Sequence, residues 1–420
     1  MTELNIDPSD LKILRDLARR RVELSEHPVN VERREAWYKL DSGAADSRPM
    51  VLIEAGGLAD ANKAMPDSML QCQGQQARGI EWPLRWDIYQ FEVLKDDHVV
   101  EPCWNVGWAA GASDYGVQAV AHYAKDYSGM GARTWDSPIK DLDGDFAKLH
   151  PRTFTVNREA TLQAKAYHEA VFDGILPVRI RGGFWWTLGM TWTAIDLIGL
   201  ENLMLYMYDN PKGLHRLMAF LRDDHIAFAQ WLEKEQLLTL NNENDYIGSG
   251  SMGYSRDLPQ GDWKPGKPVR LKDQWVLSES QETVGVGPEL FEEFIFPYQK
   301  AVVDLFGKCY YGCCEPVNNR WHVLKHFSNL ARVSVSPWAD EAFMAEACGR
   351  KVVYSRKPNP ALISTAFDED AIRADLRKTL SAAGGCRLEL IMKDVHTVNN
   401  EPARLARWVQ LARDVVAEMK

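Results

Sequence analysis

Short apolar runs that alternate with helix-like segments form the dominant pattern of this chain from Met50 onward. A run of a few apolar residues between polar stretches predicts a buried strand, whereas apolar residues three and four positions apart predict a helix. On this basis we predict eight strands, at residues 51–54, 178–181, 239–242, 276–279, 309–314, 332–336, 352–356 and 388–392. Eight strands that alternate with helices are typical of an α/β protein with a closed parallel barrel, the (β/α)8 or TIM barrel.

Several helices have recognisable starts and stops. An Asp, Asn or Ser followed by Pro marks a helix N-terminus, because the side chain caps the first turn and proline fits its first position. A Pro inside a helix removes one backbone hydrogen bond and bends the helix. The predicted helices include 8–24 after Asp7, one that starts at Asn210-Pro211, one from Pro288 with a kink at Pro297, and 367–383.

The order of these segments predicts the domain organisation. Residues 1–48 form an N-terminal helical extension, and residues 49–420 form the barrel. Residues 58–151 have few strand-like runs and are rich in Trp, Gly and Asp. We therefore predict that they are an insertion after the first strand that caps the mouth of the barrel.

Charge and composition exclude several classes of protein. The formal net charge is −10, which argues against nucleic acid or an anionic membrane as a partner. No apolar run approaches the roughly 20 residues that a membrane span requires, and the N-terminus lacks the apolar core of a signal peptide. Seven cysteines without a framework spacing predict reduced thiols in the cytoplasm.

In a barrel of this type the active site lies at the carboxyl ends of the strands. The pair Cys313-Cys314, followed by Glu315, stands at one such end and combines two thiols with a carboxylate. Neighbouring residues on a strand point to opposite faces, so we expect one thiol to face the barrel and the other to pack outward. The remaining strand ends supply further polar candidates, namely Glu54, Arg181, Asn241, Glu279, Glu282, Asp340, Arg356, Lys357, Lys393, Asp394 and His396.

Two segments resemble the uroporphyrinogen decarboxylase superfamily. One is the helix that begins Pro288-Glu289-Leu290-Phe291 and leads to the strand with the cysteine motif; the other is the helical segment 200–221 with Asp209-Asn210-Pro211. The superfamily contains decarboxylases and cobalamin-linked methyltransferases, all on (β/α)8 barrels, and its members are often dimers. The arginine-rich N-terminal segment of the decarboxylases is not evident here, so the resemblance favours the methyltransferase branch, and it implies a homodimer.

The methyltransferase branch commonly holds zinc with a His-x-Cys motif and a later Cys. Here Tyr311-Gly312-Cys313 occupies the first position, and Lys393-Asp394-Val395-His396 stands where the later Cys is expected. Some members of the branch use a Glu together with thiolates. The resemblance therefore implies a zinc site drawn from Glu279, Cys313, Cys314 and His396.

Further roles complete this hypothesis. Glu282, Glu315 and Asp340 are candidate acids that protonate a leaving oxygen. Trp185 and Trp186 are candidates for an aromatic wall of the substrate pocket, Asn241 for a polar contact, and Arg356 and Lys357 for binding a substrate carboxylate.

We expect a zinc-assisted methyltransferase that moves a methyl group from a small compound, such as an aryl methyl ether, to a corrinoid on a separate protein. Two alternatives stay open. One is a metal-independent decarboxylase of a small carboxylic acid, and the other is a barrel that binds a ligand without catalysis, in which the thiols are inert.

Overall fold

The computed structural model of the chain describes residues 5–55, 58, 64–123, 133–184 and 187–418. Trp185 and Trp186, two of the predicted substrate contacts, lie outside the described residues. In chain order the strands are β1 (Met50–Ile53), β2 (Trp104–Val106), β3 (Ala110–Ala112), β4 (Val120–Tyr123), β5 (Arg133–Asp136), β6 (Phe154–Val156), β7 (Val178–Ile180), β8 (Tyr246–Gly248), β9 (Ser251–Met252), β10 (Trp275–Ser278), β11 (Lys308–Tyr311), β12 (Leu330–Val335), β13 (Val353–Arg356) and β14 (Leu388–Met392).

Helices flank and connect these strands. They are α1 (Pro8–Glu26), α2 (Pro28–Ser42), α3 (Gln75–Tyr89), α4 (Leu142–Asp145), α5 (Arg158–Phe172), α6 (Thr191–Ile198), α7 (Leu200–Asp209), α8 (Pro211–Lys234), α9 (Pro288–Phe294), α10 (Phe296–Val303), α11 (Trp321–Leu324), α12 (Glu341–Cys348), α13 (Ala361–Ser364), α14 (Glu369–Ala383) and α15 (Ala403–Glu418). None of the helices in the described residues is both long and apolar enough to cross a membrane.

A parallel sheet of six strands forms the centre of the molecule, in the order β1-β14-β13-β12-β11-β10. Strands β1, β10, β13 and β14 are buried along their whole length. This matches their nearly continuous apolar sequences, because a parallel sheet is covered by helices on both faces. The chain is therefore a mixed α/β protein, as predicted.

Closure into an eight-stranded barrel stays a prediction. The predicted second strand forms β7, but β7 pairs with β2 and not with the central sheet. Residues 239–242, the predicted third strand, have no regular strand structure. Here a side chain replaces the backbone ladder, since the Asn241 amide donates to the Trp275 carbonyl at 3.1 Å and accepts from the Trp275 N–H at 2.8 Å.

The predicted helix boundaries are confirmed where the capping residues act. Asp7 accepts a hydrogen bond from the Ser9 N–H at 2.8 Å, and Asn210 accepts one from the Gly213 N–H at 2.9 Å. The helix predicted from Pro288 is interrupted at Ile295 and continues as α10, which carries Pro297 in its first turn. The missing N–H of Pro297 explains the kink.

Residues 64–123 and 133–151, which belong to the predicted insertion, contain more strand than the sequence suggested. Besides α3 and α4 they form β2, β3, β4 and β5. Strand β3 pairs with β6 and β4 pairs with β5, both antiparallel. The role of this segment as a cap stays a prediction.

The C-terminal helices close one side of the apolar core. Leu376 on α14 and Leu405, Trp408 and Val415 on α15 are all buried in the main core cluster. Burying each such side chain contributes about 1.5–3 kcal/mol. Helix α15 packs against α14 and against β1, the strand that pairs with β14, and so supports the edge of the sheet that leads into Lys393.

Candidate active site

A cavity of about 320 Å³ lies at the carboxyl ends of β10, β11 and β14. This volume is at the small end of the range for ligand pockets. The location agrees with the general rule that ligands bind beyond the carboxyl ends of parallel strands. The cavity is lined by Thr187, Trp192, Tyr246, Ser249, Leu277, Glu279, Gln281, Glu282, Cys313 and Lys393.

The turn after β11 places Cys313 in this cavity. Gly312 has a φ of +96° and donates its N–H to the Ser278 carbonyl at 2.8 Å. A side chain at position 312 would bring a Cβ within 3.2 Å of the Ser334 Cβ, and residues other than glycine disfavour this φ. The Ser334 hydroxyl donates to the Cys313 carbonyl at 2.7 Å, which fixes the next residue as well.

Glu315 joins the ends of two strands. Its side chain is fully buried and accepts hydrogen bonds from the Cys313 N–H at 2.8 Å and from the Ser280 N–H at 2.9 Å. Glu315 does not line the cavity. The geometry therefore supports a positioning role for Glu315, which was predicted to be an acid. Its side chain holds the turn after β11, which carries Cys313, against the turn after β10, which carries Ser280.

Cys313 lines the cavity and Cys314 lines a neighbouring surface pocket, so the two thiols face different spaces although they are close together. Their sulfur atoms are 3.5 Å apart. The alternation of a strand does not apply, because β11 ends at Tyr311 and the chain turns at Gly312. Cys314 lies 3.2 Å from an Asp394 carboxylate oxygen and lines a neighbouring surface pocket beside Trp338.

Lys393, which directly follows β14, contacts the Cys313 thiol. It is 5% exposed, and its Nζ lies 3.7 Å from the Cys313 Sγ and 3.6 Å from an Asp394 oxygen. The pKa of Cys313 is lowered to about 7, first because the Cys314 thiol donates a hydrogen bond to it and then because the Lys393 charge attracts the thiolate, against the opposing effect of burial. A lowered pKa makes a thiol more nucleophilic at neutral pH.

Two carboxyl groups stand opposite this pair. Glu279 is 4% exposed, lies 3.1 Å from the Thr187 hydroxyl and accepts the Gln281 N–H at 2.9 Å. Burial, followed by repulsion from Glu315 and Glu282, raises the pKa of Glu279 well above its ordinary value. The site thus contains a carboxyl group that stays protonated under conditions where an exposed Glu is ionised.

Glu282 is the second acid of the cavity. One of its oxygens accepts from the Thr191 hydroxyl at 2.7 Å, whereas Oε1 is buried and has no hydrogen-bond partner among the described residues. Burial raises the pKa of Glu282 as well. A protonated carboxyl group with one oxygen unengaged is suited to donate a proton to a bound molecule.

The wall of the cavity includes residues that sequence reasoning did not select. Thr187 follows β7 in the chain, and Tyr246 and Ser249 belong to the β8–β9 hairpin. The Gly248-Ser249-Gly250 sequence is a turn signal that could have indicated this hairpin. Its position beside the thiol depends on long-range packing and has no local signal.

The predicted carboxylate-binding residues of β13 are engaged elsewhere. The Arg356 guanidinium is buried and bonds to Glu341 at 3.1 Å and to Asp375 at 3.2 Å. Lys357 is also buried and bonds to the Ser355 hydroxyl, and burial lowers the pKa of its amine to about 7. Neither residue lines the cavity that contains Cys313.

Three further predicted residues also lie away from this cavity. Asn241 lines an adjacent cavity of about 430 Å³, which Tyr246 shares with the first. Asp340 is exposed and caps α12 by accepting the Phe343 N–H at 3.0 Å. His396 is exposed on the loop after β14. Their predicted roles stay predictions.

The arrangement of donors does not fit zinc. Among the described residues, no three His, Cys, Asp or Glu side chains are grouped so that they could hold one metal ion. The Lys393 ammonium lies against Cys313, on the side where the resemblance implies a further ligand. A cation in that position repels a metal cation, so we derive no chemical step through zinc.

Neither a protein-family model nor a curated protein matches this chain. Among solved structures, a methyltransferase from Methanosarcina mazei matches with 12% sequence identity and a TM-score of 0.49, over 91% of this chain and 98% of that chain. At this identity and TM-score the likeness carries no information about function.

Proposed function

We propose that this protein is a methyltransferase that removes a methyl group from a small methylated compound, such as an aryl methyl ether, for transfer to a corrinoid carried by another protein. The observation that supports it is the combination, in one small cavity, of a reactive thiol with two carboxyl groups whose pKa values are raised. The resemblance of the sequence to the methyltransferase branch points the same way.

The walls of the cavity suit a small, largely flat molecule. Trp192 and Leu277 offer apolar surface, and Tyr246 closes the side toward the second cavity. Apolar walls with a few polar groups are the usual composition of a small-molecule site. In this proposal these side chains bind the ring and turn the methyl group toward Cys313.

The acids promote departure of the demethylated fragment. When the bond between carbon and oxygen breaks, the oxygen gains negative charge, and a proton supplied at that moment stabilises it. Glu282 Oε1, which is buried and unengaged, is the proton donor in this proposal. Burial, together with repulsion from Glu315, raises the pKa of Glu282 and so keeps a proton available there.

A corrinoid does not fit inside a cavity of this size, so it would have to approach at the mouth as part of a separate protein. When bound, a reduced corrinoid supplies a strongly nucleophilic metal centre as the methyl acceptor. The chain itself supplies binding, orientation and the proton.

The competing decarboxylase reading requires cations that are available to a substrate carboxylate. Arg181 is instead paired with Glu101 at 2.6 Å and with Asp245 at 2.6 Å, and Arg356 is paired with Glu341. These two charges are already neutralised, and Lys393, a cation that lines the cavity, lies against Cys313. This arrangement supports methyl transfer better than decarboxylation.

The test is an assay of methyl transfer. The purified chain is incubated with reduced cobalamin and a panel of aryl methyl ethers, methyl amines and methyl thioethers, and methylcobalamin is followed by its visible absorption. We expect turnover with at least one donor and a loss of about 10²–10⁴-fold in Glu282→Gln, the usual contribution of a general acid.

Glu289→Gln is the matched control, because Glu289 is exposed on the first turn of α9 and takes no part in the cavity. Equal losses in the two variants contradict the role of Glu282. Release of carbon dioxide from small carboxylic acids, with no methyl transfer from any donor, contradicts the proposal as a whole.

A further inference from the structure

The contact between Lys393 and Cys313 has a consequence for how this site works. The ammonium and the sulfur are 3.7 Å apart, both groups line the cavity, and the lysine is almost fully buried. A buried ammonium is stable only when an opposite charge or strong acceptors surround it. Asp394 lies 3.6 Å away with its side chain 43% exposed, and Glu54 also attracts the ammonium. The half-buried Cys313 is the partner that shares the cavity with Lys393.

We infer that Cys313 and Lys393 form a metal-free thiolate–ammonium pair, and that the Cys313 sulfur is the nucleophile of this cavity. In this arrangement Lys393 does for the thiolate what the resemblance assigns to zinc: it supplies the positive charge that stabilises sulfur in its anionic form. Lys393 is thus a positioning and charge-balancing residue, and Cys313 is the residue that meets the substrate.

The charged and titratable groups around the sulfur come from every neighbouring element. Glu315 and Glu279 repel the thiolate, whereas the Cys314 thiol, the Ser249 hydroxyl and Lys393 favour it. Lys357, which follows β13, Tyr246 on β8 and Glu54, which follows β1, face the same region. Lys393 is the only group in contact with the sulfur that carries a positive charge, within the residues that the structure describes.

The chemical step follows from these contacts. The thiolate sulfur attacks an electrophilic carbon, and a bond between sulfur and carbon forms while the bond from that carbon to its leaving group breaks. The leaving group departs with the electron pair and takes a proton from Glu282. With a methyl donor, which rests on the proposed function, Cys313 becomes S-methylcysteine. Passing the methyl group on would break this sulfur–carbon bond and return the thiolate, with the acceptor supplying the electron pair of the new bond.

The experiment uses iodoacetamide as the electrophile, so it does not depend on the identity of the methyl donor. The metal-depleted full-length protein is alkylated in the presence of a chelator between pH 5 and pH 10, and modification of Cys313 is followed by mass spectrometry of its peptide. Cys386, a half-buried thiol without a neighbouring lysine contact, is an internal reference in the same samples.

Because the Lys393 ammonium lies 3.7 Å from the sulfur, we expect the alkylation rate of wild-type Cys313 to reach half its maximum at a lower pH than that of Cys386. In Lys393→Met the midpoint of Cys313 should move upward by one pH unit or more, because the countercharge is then missing, while Lys393→Arg should keep the midpoint where it is in the wild type. At pH 10 the Met variant should react at least as fast as wild type, since a thiolate with a higher pKa is intrinsically more nucleophilic. A variant with a misfolded site would not regain the wild-type alkylation rate at pH 10.

Three outcomes overturn the inference. They are an unchanged midpoint in Lys393→Met, a failure of Lys393→Arg to restore it, and stoichiometric zinc in the untreated protein that protects Cys313 from alkylation. A positive alkylation result together with no methyl transfer leaves the ion pair intact and rejects only the proposed function, so the two failures are distinguishable.

Discussion

Replacing Glu315 by Gln tests whether this side chain holds the active-site loops together. The two oxygens of Glu315 accept the N–H groups of Cys313 and Ser280, and the side chain is fully buried. The amide of Gln has nearly the same shape, but one of its two positions is an NH₂ group. One backbone N–H therefore faces a donor instead of an acceptor.

The magnitude follows from these two contacts. A hydrogen bond to a charged group contributes about 1.5–3 kcal/mol, and a buried donor left without a partner costs about 1–3 kcal/mol. Loss of the Glu315 charge also relieves its repulsion of Glu279, which offsets part of the loss. We expect the free energy of unfolding to fall by about 2–3 kcal/mol in Glu315→Gln.

Urea unfolding followed by tryptophan fluorescence measures this change. With a slope of about 3 kcal/mol per molar urea, the unfolding midpoint should fall by roughly 0.7–1 M. Glu292→Gln is the matched control, because Glu292 is exposed on α9 and the same substitution there should leave the midpoint unchanged. A shift in Glu315→Gln no larger than that of the control refutes the positioning role.

Three further predictions follow from the same geometry. Glu279→Gln should raise the free energy of unfolding at pH 7–8. The raised pKa of Glu279 means that the folded state binds more protons than the unfolded state above pH 4.5, so the stability of the wild type falls as the pH rises above this value. The amide of Gln does not titrate, so the variant does not lose this stability. The difference should disappear below pH 4.5, and urea titrations at several pH values check it. Gly312→Ala should lower the free energy of unfolding by about 1–2 kcal/mol, because φ at this position is +96°. It should also slow alkylation of Cys313, and wild-type stability together with wild-type reactivity would contradict this prediction. Arg356→Ala should lower the free energy of unfolding by about 1.5–3 kcal/mol, because Glu341 loses one charged partner and keeps Lys378 at 3.0 Å. The pH midpoint of Cys313 alkylation should stay unchanged, and a shifted midpoint would instead connect Arg356 to the site.

The periodicity of the sequence was sufficient to predict the main elements. Most of the predicted strands and the capped helices are present, because the spacing of apolar residues is set by which face an element buries. The position of Glu279, Glu282 and Cys313 near strand ends was also predictable, since the carboxyl ends of parallel strands meet at one edge. The prediction of a strand at residues 239–242 was wrong, because the Asn241 side chain, and not the backbone of this segment, binds the backbone of Trp275.

The contacts that define the chemistry were decided only by the tertiary structure. Lys393 and Cys313 are 80 residues apart in the chain, and their distance depends on the register of β14 relative to the other strands and on the turn at Gly312. Similarly, Arg356 ends a strand in the sequence, but in the structure Glu341 neutralises it. The sequence determined which residue types stand at the strand ends, because burial of an element is a local property. Which of these residues come into contact depends on the packing of separate strands, and no local pattern of hydrophobic and polar residues specifies the distance between their side chains.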